Sequence, residues 1–197
     1  HLPGGKRTYE KLASQGIHTI DEIPARFKLT EVQQKMKANA EWISASLKSA
    51  LQTVNYPVHH LDFETLMLAI PKYQQTRPYQ TIPFQWSNHI VETKTGTARH
   101  EHYLCAERKD PREELALSMI KSLGQEGSIC VYSGYEKRML TELGVAFPKL
   151  KPKLDRIIKR LWDLLSIIKA HYYHPAFEGS FSIKATLPAV LPSLGYG

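Results

Sequence analysis

Two acidic residues separated by one apolar residue are the best candidates for chemistry in this sequence. Asp62 and Glu64 flank Phe63 within residues 58–65, a short apolar run that predicts a buried strand. Because side chains alternate between the two faces of a strand, we expect both carboxylates on one face and Phe63 on the other. Carboxylate oxygens are ligands that Mg²⁺ and Mn²⁺ prefer, so the pair predicts a divalent metal site. The alternative is a strand end at the surface, where water solvates both acids.

The composition is that of an ordinary globular protein with an excess of positive charge. The sequence has 197 residues, 42% of them hydrophobic, and a formal net charge of +7 at pH 7. This size allows one core or one domain with a helical extension, and the charge favours a polyanionic partner such as nucleic acid. We find no signal peptide and no segment apolar enough for a membrane span. Cys105 and Cys130 are too few for a disulfide framework, so we expect free thiols and a cytoplasmic location.

Helical patterns dominate residues 1–55, which we predict to be an N-terminal helical segment. Periodicity predicts a short helix from Lys6 to Ser14, and a capping box at Thr30–Gln33 predicts the start of a second helix. Apolar residues recur on one stripe as far as Leu51, so we expect that helix to run from about 31 to 53. The stretch 12–20 weakly resembles a helix-hairpin-helix element, although a linker packed on the sheet is the simpler interpretation.

Three strand patterns, a helix, a further strand and then helices follow one another over residues 56–197, which we predict to form one domain. The predicted strands are 58–63, 81–90, 99–105 and 128–132, and the predicted helices are 110–124, 134–144, 150–170 and 182–192. The second and third strands should form an antiparallel hairpin beside the first. This order favours an α/β or α+β fold with a mixed sheet.

A block of positive charge lies in the predicted helix 150–170. Its cations are Lys149, Lys151, Lys153, Arg156, Lys159 and Arg160. The segment 149–160 contains one acid, Asp155. A segment with such an excess of positive charge can follow a nucleic-acid backbone. The alternative is a solvated helix face.

Three further residues are candidate contacts to a phosphate. Arg77 and Tyr79 follow the acidic strand in a predicted loop, where an arginine could bind a phosphate through two hydrogen bonds. Lys184 lies at the start of the last predicted helix. The alternatives are an arginine paired with Glu64 or Asp163, and a solvated lysine.

Four segments in a fixed order resemble a known family. They are Leu61–Thr65, Arg77–Gln80, Ile82–Gln85 and Gly179–Lys184. They resemble an uncharacterised bacterial domain family of the ribonuclease H-like, DnaQ-like (DEDD) 3′–5′ exonuclease superfamily, over residues 56 to 197. The resemblance implies a ribonuclease H-like three-layer core after the N-terminal extension. It also implies a nuclease that hydrolyses phosphodiesters of DNA or RNA with two Mg²⁺ or Mn²⁺ ions.

The resemblance implies a role for each of four carboxylates. Asp62 would bridge both metal ions, and Glu64 would bind one of them. Glu136 would be a further ligand, at a position where the superfamily usually has Asp. Asp163 matches a position that lines the site, and its alternative is a polar residue on the exposed side of the helix 150–170.

The last metal ligand of the superfamily has no match in this sequence. The resemblance places an Asp, with a Tyr or His general base, on a helix after residue 184, yet no acid follows Glu178. We therefore expect the sequence to be a piece of a longer protein that carries this ligand beyond Gly197. The missing acid and the substitution by Glu136 also leave open a catalytically inactive nucleic-acid-binding or assembly module.

Overall fold

The computed structural model describes residues 6–194, in which the chain forms two compact units. One unit contains the chain up to Leu51 together with the chain from Ser166 onward, and the other contains Gln52–Leu165. The boundary between Leu51 and Gln52 lies close to the one predicted at residue 55. The C-terminal part groups with the N-terminal helices. Both ends of the chain, on which the expectation of a longer protein rests, lie outside the described residues.

Helices and strands alternate along the described chain. The helices are α1 (Lys6–Ala13), α2 (Glu31–Ala38), α3 (Leu47–Leu51), α4 (Arg112–Leu123), α5 (Tyr135–Ala146), α6 (Lys151–Ile158), α7 (Leu164–His171) and α8 (Ile183–Val190). The strands are β1 (Trp42–Ile43), β2 (Val58–Met67), β3 (Thr81–Val91), β4 (Arg99–Leu104), β5 (Ser128–Val131), β6 (Leu161–Asp163) and β7 (Tyr172–Tyr173). A short 3₁₀ helix covers Pro175–Phe177.

The unit Gln52–Leu165 is built on a five-stranded mixed sheet in the order β4-β3-β2-β5-β6. The strands β2, β3 and β4 form an antiparallel meander, as the predicted hairpin requires, while β5 runs parallel to β2 and β6 runs parallel to β5. The helix α4 makes the crossover to β5, and α5 and α6 make the crossover to β6. The predicted mixed sheet is therefore confirmed, and the carboxyl ends of β2, β5 and β6 meet at one edge.

The hydrophobic core of this unit lies on one face of the sheet, beneath α4, α5 and α6. Leu61 and Phe63 of β2 point into it, and each is no more than 6% exposed. The alternate residues of β2, including Asp62 and Glu64, are exposed. The alternation along β2 thus places both carboxylates on the face away from this core, as predicted.

The prediction of one helix from 31 to 53 is wrong. The capping box forms as predicted and α2 begins after Thr30, but the helix ends where Asn39 adopts the left-handed conformation with φ 45°. Trp42–Ile43 then pairs antiparallel with β7, and the ammonium group of Lys35 lies 3.2 Å from the centroid of the Trp42 ring. The apolar stripe in the sequence is therefore divided among α2, β1 and α3.

The prediction of one helix from 150 to 170 is also wrong, because this segment contains β6. The helix α6 ends at Ile158, and Leu161–Asp163 pairs parallel with β5. The side chain of Arg160 donates hydrogen bonds to backbone carbonyls of the loop that precedes β5, which holds the start of β6 beside that strand. Asp163 consequently ends a parallel strand and does not lie on the side of a long helix.

Candidate metal centre

Three carboxylates lie near one another at the edge where β2, β5 and β6 end. Asp62 lies on β2, Asp163 is the last residue of β6, and Glu136 is the second residue of α5, the helix that follows β5. The negative charges of Asp62 and Asp163 both raise the pKa of Glu136, although its burial contributes more. Three of the four predicted carboxylates thus interact electrostatically. Their segments are far apart in the sequence and are brought together by the parallel pairing of β2, β5 and β6.

Glu136 is the most unusual member of this group. Its side chain is 7% exposed, and among residues 6–194 its Oε2 atom has no hydrogen-bond partner. Burial first, and then the charges of Asp62 and Asp163, hold the pKa of Glu136 above its usual range. A buried carboxylate without a partner is costly for a fold, so this atom is a candidate ligand for a cation.

The turn between β5 and α5 positions Glu136. Ser133 adopts φ 146°, a backbone conformation that is strained for a residue with a side chain, and its Oγ accepts a hydrogen bond from the backbone N–H of Tyr135. The hydroxyl groups of Tyr135 and Thr65 lie 2.8 Å apart, which ties the first turn of α5 to β2. The chain therefore holds Glu136 through a strained turn and a contact with the strand that carries Asp62.

Backbone groups hold one oxygen of each aspartate. The Oδ1 atom of Asp62 accepts from the N–H of Phe63 at 2.9 Å, and the Oδ1 atom of Asp163 accepts from the N–H of Leu165 at 3.0 Å, at the start of α7. The carboxyl group of Asp62 is therefore oriented by its own strand, and that of Asp163 by the first turn of α7.

Glu64 lies on the same face of β2 as Asp62 and is exposed. The register with β3 shifts immediately after it: Glu64 pairs with Gln85 and Thr65 with Pro83, so the extra residue at this irregularity is Phe84 of β3. Glu64 shares the strand face with the carboxylate group but makes no described electrostatic contact with Glu136.

Cys130 is a neighbour of the carboxylates that the sequence analysis did not assign to the site. Its side chain is half-buried, and burial together with the charges of Asp163 and Glu136 raises the pKa of the thiol to about 11. The parallel pairing of Cys130 with His60 could have indicated this position, but only once the register of β2 and β5 was known.

The loop residues Arg77 and Tyr79 are both exposed, and Tyr79 is 69% exposed. Backbone hydrogen bonds fix the loop: the N–H of Arg77 donates to the side chain of Gln80, and the N–H of Tyr79 donates to the carbonyl of Leu68. Lys184 is exposed in α8 and belongs to the other compact unit. Contacts of these three residues with a phosphate stay a prediction.

The structure places the basic residues of α6 at the opposite end of β5 from the carboxylates. Lys153, Arg156 and Lys159 are exposed, whereas Lys151 pairs with Asp155 at 2.6 Å. The guanidinium group of Arg160 donates to the carbonyls of Leu123, Gly124, Glu126 and Gly127. The basic block therefore does not adjoin the carboxylate group.

The donor set at the carboxyl edge suits a hard divalent cation. Among residues 6–194, no three His, Cys, Asp or Glu side chains are placed closely enough to hold a metal ion. The buried Oε2 atom of Glu136 nevertheless lacks a hydrogen-bond partner in the described part of the chain and lies beside two further carboxylates. Carboxylate oxygens are the ligands of Mg²⁺ and Mn²⁺, so the residues fit the ions that the sequence predicts.

A comparison with protein families identifies the group to which this sequence is related. Residues 59–182 match the model of a family described as a domain of unknown function (DUF2779). The chain belongs to this family. The DUF2779 match runs from β2 to Ser182 and includes all four predicted carboxylates. No curated protein and no solved structure matches the chain. In the described part of the chain, no helix has the length and apolar character needed to cross a membrane.

Proposed function

We propose that this chain is a divalent-metal-dependent nuclease domain of the 3′–5′ exonuclease type, which hydrolyses phosphodiesters of DNA or RNA. The observation that carries the proposal is the buried Oε2 atom of Glu136, which has no hydrogen-bond partner within residues 6–194 and lies beside the charges of Asp62 and Asp163. An unsatisfied buried polar group costs about 1–3 kcal/mol, and more when it is charged. A cation bound among these carboxylates would offset that cost.

The topology of the sheet supports the proposed ribonuclease H-like core. An antiparallel meander of three strands is followed by two parallel strands on the other side of β2, in the order β4-β3-β2-β5-β6. The acidic pair lies on the central strand β2, and the other two carboxylates follow or end the parallel strands. An acidic pair on the first strand of the sheet, followed by a meander, a helix and a further strand, matches the order of elements on which the resemblance to the DnaQ-like superfamily rests.

In this proposal, Asp62, Glu64 and Glu136 hold two Mg²⁺ or Mn²⁺ ions, and Asp163 lines the site. Such ions activate a water molecule and stabilise the leaving oxygen of a phosphodiester. The chain itself supplies preorganisation, because the N–H of Phe63 orients Asp62 and the first turn of α5 fixes Glu136. The burial of Glu136 limits the access of water to one side of the group.

A digestion assay tests the proposal. Labelled single strands of DNA and of RNA are incubated with the protein in Mg²⁺, in Mn²⁺ and in EDTA, and the products are separated by length. We expect metal-dependent shortening of the strands, and we expect Asp62→Ala to lower the rate by roughly a thousandfold, because it removes several kcal/mol of metal-borne stabilisation.

The matched control is Asp21→Ala, which removes the same side chain from an exposed position in the other unit. This variant, purified in the same way, should digest at the rate of the unmodified protein. Equal digestion by Asp62→Ala and Asp21→Ala would assign the activity to a contaminant or to other residues, and the proposal would fall.

A catalytically inactive nucleic-acid-binding or assembly module is the second candidate function. It is favoured by the absence, among residues 6–194, of a preformed group of three metal-ligating side chains. Calorimetric titration with Mn²⁺ distinguishes the two candidates. Heat of binding that disappears in Asp62→Ala supports the nuclease, whereas unchanged strand binding without any heat from the metal supports the inactive module.

A further inference from the structure

A basic groove lies between α4 and α6, at the amino-terminal end of β5. Its volume is about 520 Å³. Five of its nine lining residues carry positive charge, and none of the nine is acidic. The cations are Lys121, Lys153, Arg156, Lys159 and Arg160. A concave surface with one sign of charge concentrates the electric field, so it attracts a polyanion more strongly than a flat surface does.

The groove combines a positive rim with an apolar floor. Lys153 and Arg156 are three residues apart on α6, which brings both to the same side of the helix, and Lys159 and Arg160 follow in the turn after it. Ile157 is buried and Ile120 is half-buried beneath them. A rim that binds phosphates above a floor that contacts sugars and bases suits a nucleic-acid strand.

The wall of the groove is held rigidly by Arg160. Its Nε donates to the carbonyl of Gly127 at 2.8 Å, its Nη1 to Gly124 at 2.9 Å and its Nη2 to Leu123 at 3.0 Å. Gly127 has φ 79°, and a Cβ atom there would lie 1.8 Å from the carbonyl oxygen of Pro57. The loop is therefore fixed before any ligand arrives, so binding does not have to order it.

The Asp155 carboxylate does not neutralise the groove. It pairs with the ammonium group of Lys151 at 2.6 Å, and neither residue lines the groove. The exposed Lys153, Arg156 and Lys159 are thus available to an external anion.

We propose that this groove binds the sugar–phosphate backbone of a single-stranded nucleic acid whose end reaches the carboxylates. The inference rests on the proposed nuclease function, which it extends with a requirement on substrate length. The four residues of β5 lie between the groove and the turn before Glu136, which makes the separation at least about 13 Å at roughly 3.3 Å per residue, and the path to Asp62 is longer because Asp62 lies on the other face of the sheet. This distance corresponds to about four nucleotide steps at the 3.4 Å rise of a B-form strand. Shorter strands cannot occupy both places.

Binding without metal provides the test. Thymidine oligonucleotides of three and of twelve nucleotides, each with a fluorescent label, are titrated with the protein in EDTA, and anisotropy is recorded over a series of NaCl concentrations. We expect Lys153→Glu/Lys159→Glu to bind the longer strand at least tenfold more weakly at low salt, and to lose less affinity for the shorter strand, which makes fewer phosphate contacts in the groove. The slope of log affinity against log salt should fall by about 1.4, at about 0.7 per lost phosphate contact on a single strand.

The control is Lys48→Glu/Lys94→Glu, which changes the net charge equally at two exposed lysines outside the groove. If the two double variants weaken binding of the longer strand equally, net charge accounts for it and the inference is overturned. The inference is also overturned if polyglutamate displaces the longer strand as effectively as an unlabelled oligonucleotide of the same charge.

The same variants separate this inference from the proposed nuclease activity. Asp62→Ala should retain full binding of the longer strand in EDTA, because the groove lies at the other end of β5. If digestion fails in every metal while the groove variant still loses binding, the nuclease proposal falls and the groove stands. If the groove variant digests long and short strands at unchanged rates, the nuclease stands and the groove inference falls.

Discussion

The two edges of the five-stranded sheet carry opposite charge and differ in how well that charge is compensated. At the amino edge, Arg160 donates hydrogen bonds to four backbone carbonyls of one loop. At the carboxyl edge, Glu136 is buried with one oxygen unpartnered in the described chain, and the charges of Asp62 and Asp163, which raise its pKa further, have the same sign. The first edge contributes stability, whereas the second retains unfavourable electrostatics, a property typical of sites that bind a ligand.

Removal of the Arg160 side chain should have the largest effect on stability. Arg160→Ala leaves the carbonyls of the α4–β5 loop without their charged donor, so we expect the free energy of unfolding to fall by about 3 kcal/mol. Urea unfolding followed by circular dichroism measures this change. The neighbouring exposed Lys159→Ala should change the same quantity by less than about 0.5 kcal/mol. Equal losses in both variants would show that the hydrogen bonds to the loop contribute nothing.

The reactivity of Cys130 reports on the opposite edge. Because burial and the charges of Asp163 and Glu136 raise the pKa of its thiol from 9.0 to about 11, alkylation at pH 8 should be about a hundredfold slower than for an unshifted thiol. Labelling with iodoacetamide in a Cys105→Ser background, followed by mass spectrometry, gives the rate. Both Glu136→Gln and saturating Mg²⁺ should increase it severalfold. A rate that responds to neither would separate Cys130 from the carboxylate group.

Neutralisation of Glu136 should stabilise the metal-free protein. Glu136→Gln removes a buried charge that repels Asp62 and Asp163, so we expect the free energy of unfolding at pH 7 to rise by about 1–2 kcal/mol. Thermal unfolding in EDTA measures the change. The matched control is Glu113→Gln, an exposed acid in the first turn of α4, where loss of the charge should lower stability slightly.

The pH dependence of Glu136→Gln has a defined sign. Because the pKa of Glu136 is raised on folding, the folded chain keeps this proton at a pH where the unfolded chain has lost it. The stability that this bound proton adds to the folded state is therefore fully present below the unfolded pKa of about 4.5. It is lost as pH rises through the folded pKa. The difference in the free energy of unfolding between the variant and the unmodified protein should therefore grow with pH over this range. A constant difference from pH 4 to pH 8 would contradict the raised pKa.

The elements whose patterns are local were predictable from the sequence. The alternation along β2 predicts the shared face of Asp62 and Glu64, and the turn at 94–96 predicts the antiparallel pairing of β3 with β4. The capping box at Thr30 places the start of α2 correctly. Each of these features depends on residues within a few positions of one another, so a single stretch of sequence contains the whole signal.

The elements that depend on distant partners were not predictable. Leu161 and Trp162 of β6 are apolar enough to continue a helical stripe, and they become part of a strand through pairing with β5 and through the hydrogen bonds of Arg160 to the loop before β5. Likewise, Trp42–Ile43 leaves the predicted helix because it pairs with β7, about 130 residues later. For the same reason, the sequence did not indicate that Cys130 adjoins the carboxylates.

The parallel pairing of β2 with β5 has a consequence for how the protein folds. The pair Val58 and Ser128 joins positions separated by 70 residues, and the partner strand β6 is added only after a further crossover. Closing loops of this length is entropically unfavourable and slow compared with helix or hairpin formation. Asp62 therefore meets Glu136 and Asp163 late, when the topology is complete. A partly folded or newly synthesised chain would carry each acid but not their common site, so chemistry at this edge would be restricted to the finished fold.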